Sequence, residues 1–181
     1  MTLPYETFPY APEAVDGPGV LARLVDSMGF RYRWATEGLA SEAMTFRSVE
    51  GAMSLGEVLA HLCVLVRWTE GSVRSSLAGE SAGSYMEFVD VPEAWGELRA
   101  DTLERLVELR TLLASADSGL LSAATITGHP DHGPQSFWCM LNGPLADFLS
   151  HVGQVASWRR MAGDPVPSAD LFRGLPPATE A

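Results

Sequence analysis

Cysteine is scarce in this 181-residue chain: Cys63 and Cys139 are the only two. That is too few for a disulfide framework, and both are expected as free, buried thiols. Positive charge is scarce as well. The 12 basic residues are arginines, and they face 23 acidic residues for a net charge of −11. Most of the surface should therefore repel phosphate backbones, which argues against nucleic acid as a partner. The arginines form no run; Arg159 and Arg160 in "WRRMAG" read as a complement to the negative end of a helix. Missing too are a stretch of about 18 consecutive apolar residues and an N-terminal basic segment leading into an apolar one. Neither a membrane span nor a signal peptide is expected, and the reading is a soluble, cytoplasmic protein.

The rest of the composition, 46% hydrophobic and 19% charged, is that of a folded protein. The length suits a single domain, taken as 1–167, with a Pro-rich tail at 168–181 expected to be partly disordered. About the first 15 residues are rich in Pro, Tyr and Phe, which predicts an extended arm laid on the surface.

Helical periodicity starts near Pro18. Leu21, Leu24, Val25, Met28, Tyr32, Ala35 and Leu39 recur at steps of three and four and predict a helix over 18–39. Ser54 and Glu57 form a capping box that opens a second helix, with Gly79 as its stop. For the third, Asp90 is the expected cap, with Pro92 in the first turn and Glu93 completing a box. That helix should run to 116, with Asp101 and Arg105 as an exposed pair. Between 117 and 136 periodicity fades, although "AATIT" (123–127) suits a short extended piece. A fourth helix is predicted over 144–162, opened by Asn142, Gly143 and Pro144. Four amphipathic helices without a convincing strand predict an all-α fold, a four-helix bundle.

Three polar residues sit awkwardly in that pattern. His61 neighbours Leu62 of the second apolar stripe, so it points inward or to the rim of the core. On the fourth helix Asp147, His151, Gln154 and Trp158 form a stripe beside the apolar one, and the four-residue step lets Asp147 and His151 touch one atom together. Two readings follow. The pair can simply hydrogen-bond each other, or it can join His61 around a metal ion with an open coordination position.

Other residues suit simpler roles. His129 and His132, flanking Asp131 in "GHPDHG", read as an exposed polar loop able to bring a proton carrier over a site. Cys63 turns away from His61, Ser54 reads as a cap, and Trp68 and Trp158 read as core packing, although Trp68 is on the side of His61 and suits a pocket wall.

"SLGEVLAHLCVLVRW" followed by "LADFLSHVGQVASWRRMAGDPVP" resembles the DinB-like superfamily of bacterial four-helix-bundle proteins, which includes YfiT-type and thiol-dependent transferase members. The resemblance spans roughly 18–167 and is strongest at His151, Gly153 and Gln154 and at the "RRMAGDP" ending. It implies a bundle with one helix on a long crossover, a homodimer, and a divalent metal ion held by His61, Asp147 and His151. Much of the superfamily has histidine where Asp147 stands. A carboxylate is a competent ligand there for zinc or nickel, or for iron or manganese. Gln154 is then expected to orient a ligand or substrate. The implied activity is a metal-dependent one on a small electrophilic substrate, with a low-molecular-weight thiol as nucleophile in S-transfer or isomerisation. Metal-activated hydrolysis and a non-catalytic ligand-binding or stress-response role remain the alternatives.

Overall fold

Ser54 accepts a hydrogen bond from the N–H of Glu57 at 3.2 Å, and the Glu57 carboxylate accepts from the N–H of Ser54 at 2.5 Å. The expected capping box therefore opens the second helix. Ser54→Ala should lower stability by about 1 kcal/mol, read as a shift of the denaturant midpoint. The Ser54 N–H, followed by Arg47, holds the Glu57 carboxyl down at about 2 against an ordinary value of 4.5. A depressed carboxyl stabilises the fold fully above its unfolded value, and that contribution fades as pH falls from about 4.5 through about 2. An acid titration of Glu57→Gln should lose less stability over that window than the parent protein.

The structure, a computed structural model, describes residues 2–11, 15–80, 83–126 and 133–178. Its helices are α1 (Gly17–Ala35), α2 (Leu55–Leu77), α3 (Trp95–Ala114), α4 (Ser118–Ala123), α5 (Trp138–Met140) and α6 (Ala146–Met161). The four long ones, α1, α2, α3 and α6, make an all-α four-helix bundle. α3 and α6 each pack against both α1 and α2, so α1 and α2 lie diagonally across the bundle. Among the described residues no helix is long and apolar enough to cross a membrane.

The predicted stripes meet in one core. Leu59 and Leu62 of α2, Leu103 and Leu106 of α3, Phe148 and Val155 of α6 and Tyr32 of α1 are fully buried. Each such aliphatic side chain stabilises the fold by about 1.5–3 kcal/mol relative to exposure.

Helix boundaries differ from expectation where tertiary contacts intervene. α1 stops at Ala35 rather than 39. Arginines from both flanking helices take its last carbonyls: Arg99 of α3 donates to Arg33 O at 3.1 Å, and Arg159 of α6 donates to Ala35 O at 3.0 Å and Glu37 O at 2.7 Å. Buried Arg159 thus serves the C-terminus of another helix, not only that of its own. α3 begins at Trp95, and Asp90 does not cap it. Arg67 donates to the Asp90 carbonyl at 2.5 Å, which ties this stretch to α2 before the chain enters α3. Asp101, expected as exposed, is half-buried and accepts from Arg67 Nε at 2.7 Å.

The connection after α3 has more structure than its composition suggests. Asp117 caps α4 by accepting from the N–H groups of Gly119 and Leu120. β1 (Thr125–Ile126) pairs antiparallel with β2 (Gln135–Ser136), Thr125 opposite Ser136, so the expected extended piece is present and belongs to a two-strand pair. A kinked turn over Leu141–Leu145 then leads into α6; Pro144 lies inside it and Gly143 leaves helical geometry, with φ −91° and ψ −107°.

The arm packs as predicted, with Tyr5 buried against Gly29, where a Cβ would collide with the tyrosine ring. The stretch 168–178, expected as a loose tail, instead makes a turn. Asp170 pairs with Leu175, and the N–H of Phe8 donates to Gly174 O at 3.1 Å, joining the two terminal segments.

Candidate metal centre

α2 and α6 bring His61, Asp147 and His151 together. One ligand-competent atom from each lies within 4.8 Å of the others. His61 Nε2 is 3.1 Å from Asp147 Oδ2, and His151 Nε2 is 3.5 Å from Asp147 Oδ1. The imidazole rings face each other edge to face at 5.1 Å.

Local structure sets these positions. Val58, Leu62 and Leu65 anchor α2 in the core and leave His61 on the neighbouring stripe. The kinked turn ends immediately before α6, which places Asp147 in the first turn of that helix; His151 follows one turn later on the same stripe. The cluster lies at the rim of the bundle. Side-chain exposures are 24% for His61, 44% for Asp147 and 23% for His151. Burial cost is therefore a weaker reason for a cation than the sequence suggests, and the arrangement of donors and acceptors carries the argument.

Both rings are oriented from behind. Gln154 Oε1 is 2.6 Å from His151 Nδ1, and Tyr85 Oη is 3.2 Å from His61 Nδ1. With Oε1 as acceptor, the neutral His151 ring carries its proton on Nδ1, and its Nε2 lone pair faces the Asp147 carboxylate. Two acceptors then meet with no proton between them, a geometry that suits a cation. His61 works differently. The Tyr85 hydroxyl can donate to Nδ1 while Nε2–H bonds Asp147, or it can accept from Nδ1–H and leave Nε2 free for a metal. Burial, and after it the Asp147 charge, push the Tyr85 phenol above its usual value and keep it protonated. Imidazoles that bind metal characteristically have such a second hydrogen bond.

The donor set fits a divalent ion: two imidazole nitrogens and a carboxylate oxygen from two rigid helices. For bonds of about 2.1 Å, the edge of a tetrahedron is about 3.4 Å; the spacings of 3.1 and 3.5 Å, each to a different oxygen of Asp147, are near it, and the three ligand atoms lie within 4.8 Å of one another.

A cavity of about 430 Å³ adjoins the cluster at Asp147 and Tyr85, with Trp68, Cys139 and Asn142 also in its wall. Trp68 packs edge to face on Tyr85 at 5.7 Å and so belongs to the pocket as well as the core. Trp158 is core, packed on Phe46. Cys139 is half-buried rather than buried. Cys63 does point away: its thiol donates to Asp101 at 3.3 Å, and burial pushes it up to about 12. The stretch containing His129 and His132 is outside the described residues. Tyr85 escapes sequence reasoning because it reaches His61 from a separate 3-10 turn, Tyr85–Phe88, with no spacing rule linking the two.

No family model matches the chain, and no curated protein matches it. Among solved structures, a DinB-like protein of Bacillus subtilis, YjoA, is similar with a TM-score of 0.63 at 13% identity, over 82% of this chain and 96% of that one. Likeness at this identity is likeness of fold, and the fold is the DinB-like bundle that the sequence resemblance implied.

Proposed function

We propose that this DinB-like bundle is a metal-dependent enzyme, with His61, Asp147 and His151 as ligands and the cavity beside Asp147 as the substrate site. The observation carrying the proposal is the pair of histidines, each oriented through Nδ1, with both Nε2 atoms turned to one carboxylate. When bound, a zinc or nickel ion supplies Lewis acidity that lowers the pKa of a thiol or water.

The chain's own residues do the rest. Gln154 fixes the tautomer of His151, Tyr85 buttresses His61, and Trp68 gives the cavity an apolar wall. Cys63 is held as a protonated thiol by burial and does not supply the nucleophile. By the family resemblance, a low-molecular-weight thiol is the leading external nucleophile and S-transfer or isomerisation of a small electrophile the leading reaction. Water would serve on the same ligands in a hydrolase. A cytoplasmic location and, by the family resemblance, a homodimer belong to the same proposal, and sedimentation tests the dimer.

A panel of low-molecular-weight thiols with electrophilic acceptors, run with metal-loaded and chelated protein, tests the reaction. Turnover that needs both thiol and metal supports transfer. Metal-dependent turnover without thiol moves the assignment to hydrolysis, and stoichiometric metal with no turnover in either assay leaves a ligand-binding role. Gln154→Leu should weaken metal binding by about 10–100-fold without unfolding the protein, the range for losing a residue that orients a ligand. Titration against a chelating dye reads this directly.

A further inference from the structure

A second cavity, of about 510 Å³, lies between α1, α6 and the returning C-terminal segment. Gly153, Ala156 and Arg160 contribute to it from α6. At 100° per residue these positions are about 140–200° around the helix from His151, so the cavity opens on the face opposite the metal centre.

Its charges are unusual for this molecule. Every other arginine of the chain has a carboxylate within 4.0 Å. Arg31 and Arg160, both in this cavity wall, have none among the described residues, in a protein with 23 acidic side chains. Arg31 donates from Nε to Ser27 Oγ at 3.3 Å. That bond steadies the guanidinium and leaves its paired Nη groups, the edge that can grip a carboxylate with two parallel bonds, without an acceptor among the described residues. Trp34, Leu149, Val152 and Val166 give the same cavity an apolar lining.

Gly153 is a separate sign of open space. It lies inside α6, where glycine is a poor helix former, yet a Cβ built on it meets nothing within 4 Å. Close packing does not require its small size. The volume is that of a pocket for a small molecule.

We propose that this cavity is a second ligand site, taking a small organic anion with an apolar body whose charged group is bound by Arg31 and Arg160. The site is independent of the proposed metal chemistry, because it uses none of the metal-centre residues.

Anilinonaphthalenesulfonate, an apolar fluorescent anion, is the probe, and phenylnaphthylamine, the same aromatic frame without the sulfonate, is its neutral control. The full chain should bind the anion saturably at one site, with affinity falling as salt rises. The doubly substituted Arg31→Gln, Arg160→Gln protein should bind it at least about tenfold more weakly, the loss expected for two charge-assisted contacts, while binding of the neutral control stays unchanged. Gly153→Phe, which fills the cavity and leaves both arginines in place, should weaken both probes. Metal retention should be the same in all variants. Equal affinity for the anion in the parent and the double variant would overturn the site, as would equal losses for the anion and its neutral control. A change in sedimentation of the double variant with no change in probe affinity would overturn it too, identifying the arginines as subunit contacts. The arginine variant changes partly exposed side chains that have no carboxylate partner among the described residues, so it decides the matter even if Gly153→Phe does not fold.

Discussion

Zinc-loaded protein passed through a desalting column should retain about one ion per chain, and His61→Ala or His151→Ala should retain at most about a tenth of that at equal free zinc. Each histidine is one of three protein ligands, and both Nε2 atoms converge on Asp147. Losing either leaves a two-ligand site on a rim open to water. Loss of a second-sphere residue costs about 10–100-fold in affinity, and loss of a ligand should cost at least that much. Asp147→His separates ligation from charge: it keeps a third ligand atom while removing the carboxylate and should retain zinc, whereas Asp147→Ala should not. Stability gives an independent measure, since ion at about a hundredfold over its Kd adds about 2.7 kcal/mol to the folded state. Chelation should therefore lower the melting temperature of the parent protein and leave that of His61→Ala unchanged. Stoichiometric zinc that ignores His61 would remove the proposed centre.

Replacing Arg159 by leucine should destabilise the bundle by about 2–4 kcal/mol, the scale for leaving buried carbonyls without donors. Arg159 is 2% exposed and donates to Ala35 O, Glu37 O and Asp164. A leucine fills most of the volume, but two carbonyls at the end of α1 then lose their donors in a place water barely reaches. Lysine should recover only part of the loss, because one ammonium group cannot reproduce the fork that spans three acceptors. Arg160, adjacent in sequence but exposed and without a carboxylate partner among the described residues, should change stability by no more than about 0.5 kcal/mol on substitution by alanine. Denaturant midpoints at constant m-value compare the three variants.

These two arginines also mark what the chain makes legible by itself. A four-residue step on a helix is a local rule, so the meeting of Asp147 and His151 could be anticipated from spacing, as could the Ser54 capping box. Placing His61 with them required a second helix at the right height, which the apolar stripes implied and the family resemblance supplied. Contacts set by tertiary structure left no such pattern. Gly38, in the left-handed region at φ +65°, is a local stop signal for α1, but the groups that satisfy its last carbonyls come from Arg99 and Arg159, far along the chain. Asp90 has the composition of a cap and is passed over because Arg67 ties its carbonyl to α2. Tyr85 reaches His61 across 24 positions, and the cavity around Arg31 exists only because the segment after α6 folds back.

The irregular turn over Leu141–Leu145 bears on how this scaffold tolerates changes of length. The kink at Gly143 breaks the helix before α6, so it acts as a slack loop in a taut rope. Insertions upstream of Leu141 can be absorbed before they reach α6, and the aim of Asp147 should survive them. A single deletion between Asp147 and His151 has no such buffer. It would swing the carboxylate about 100° around the helix axis and point it away from the imidazole of His151.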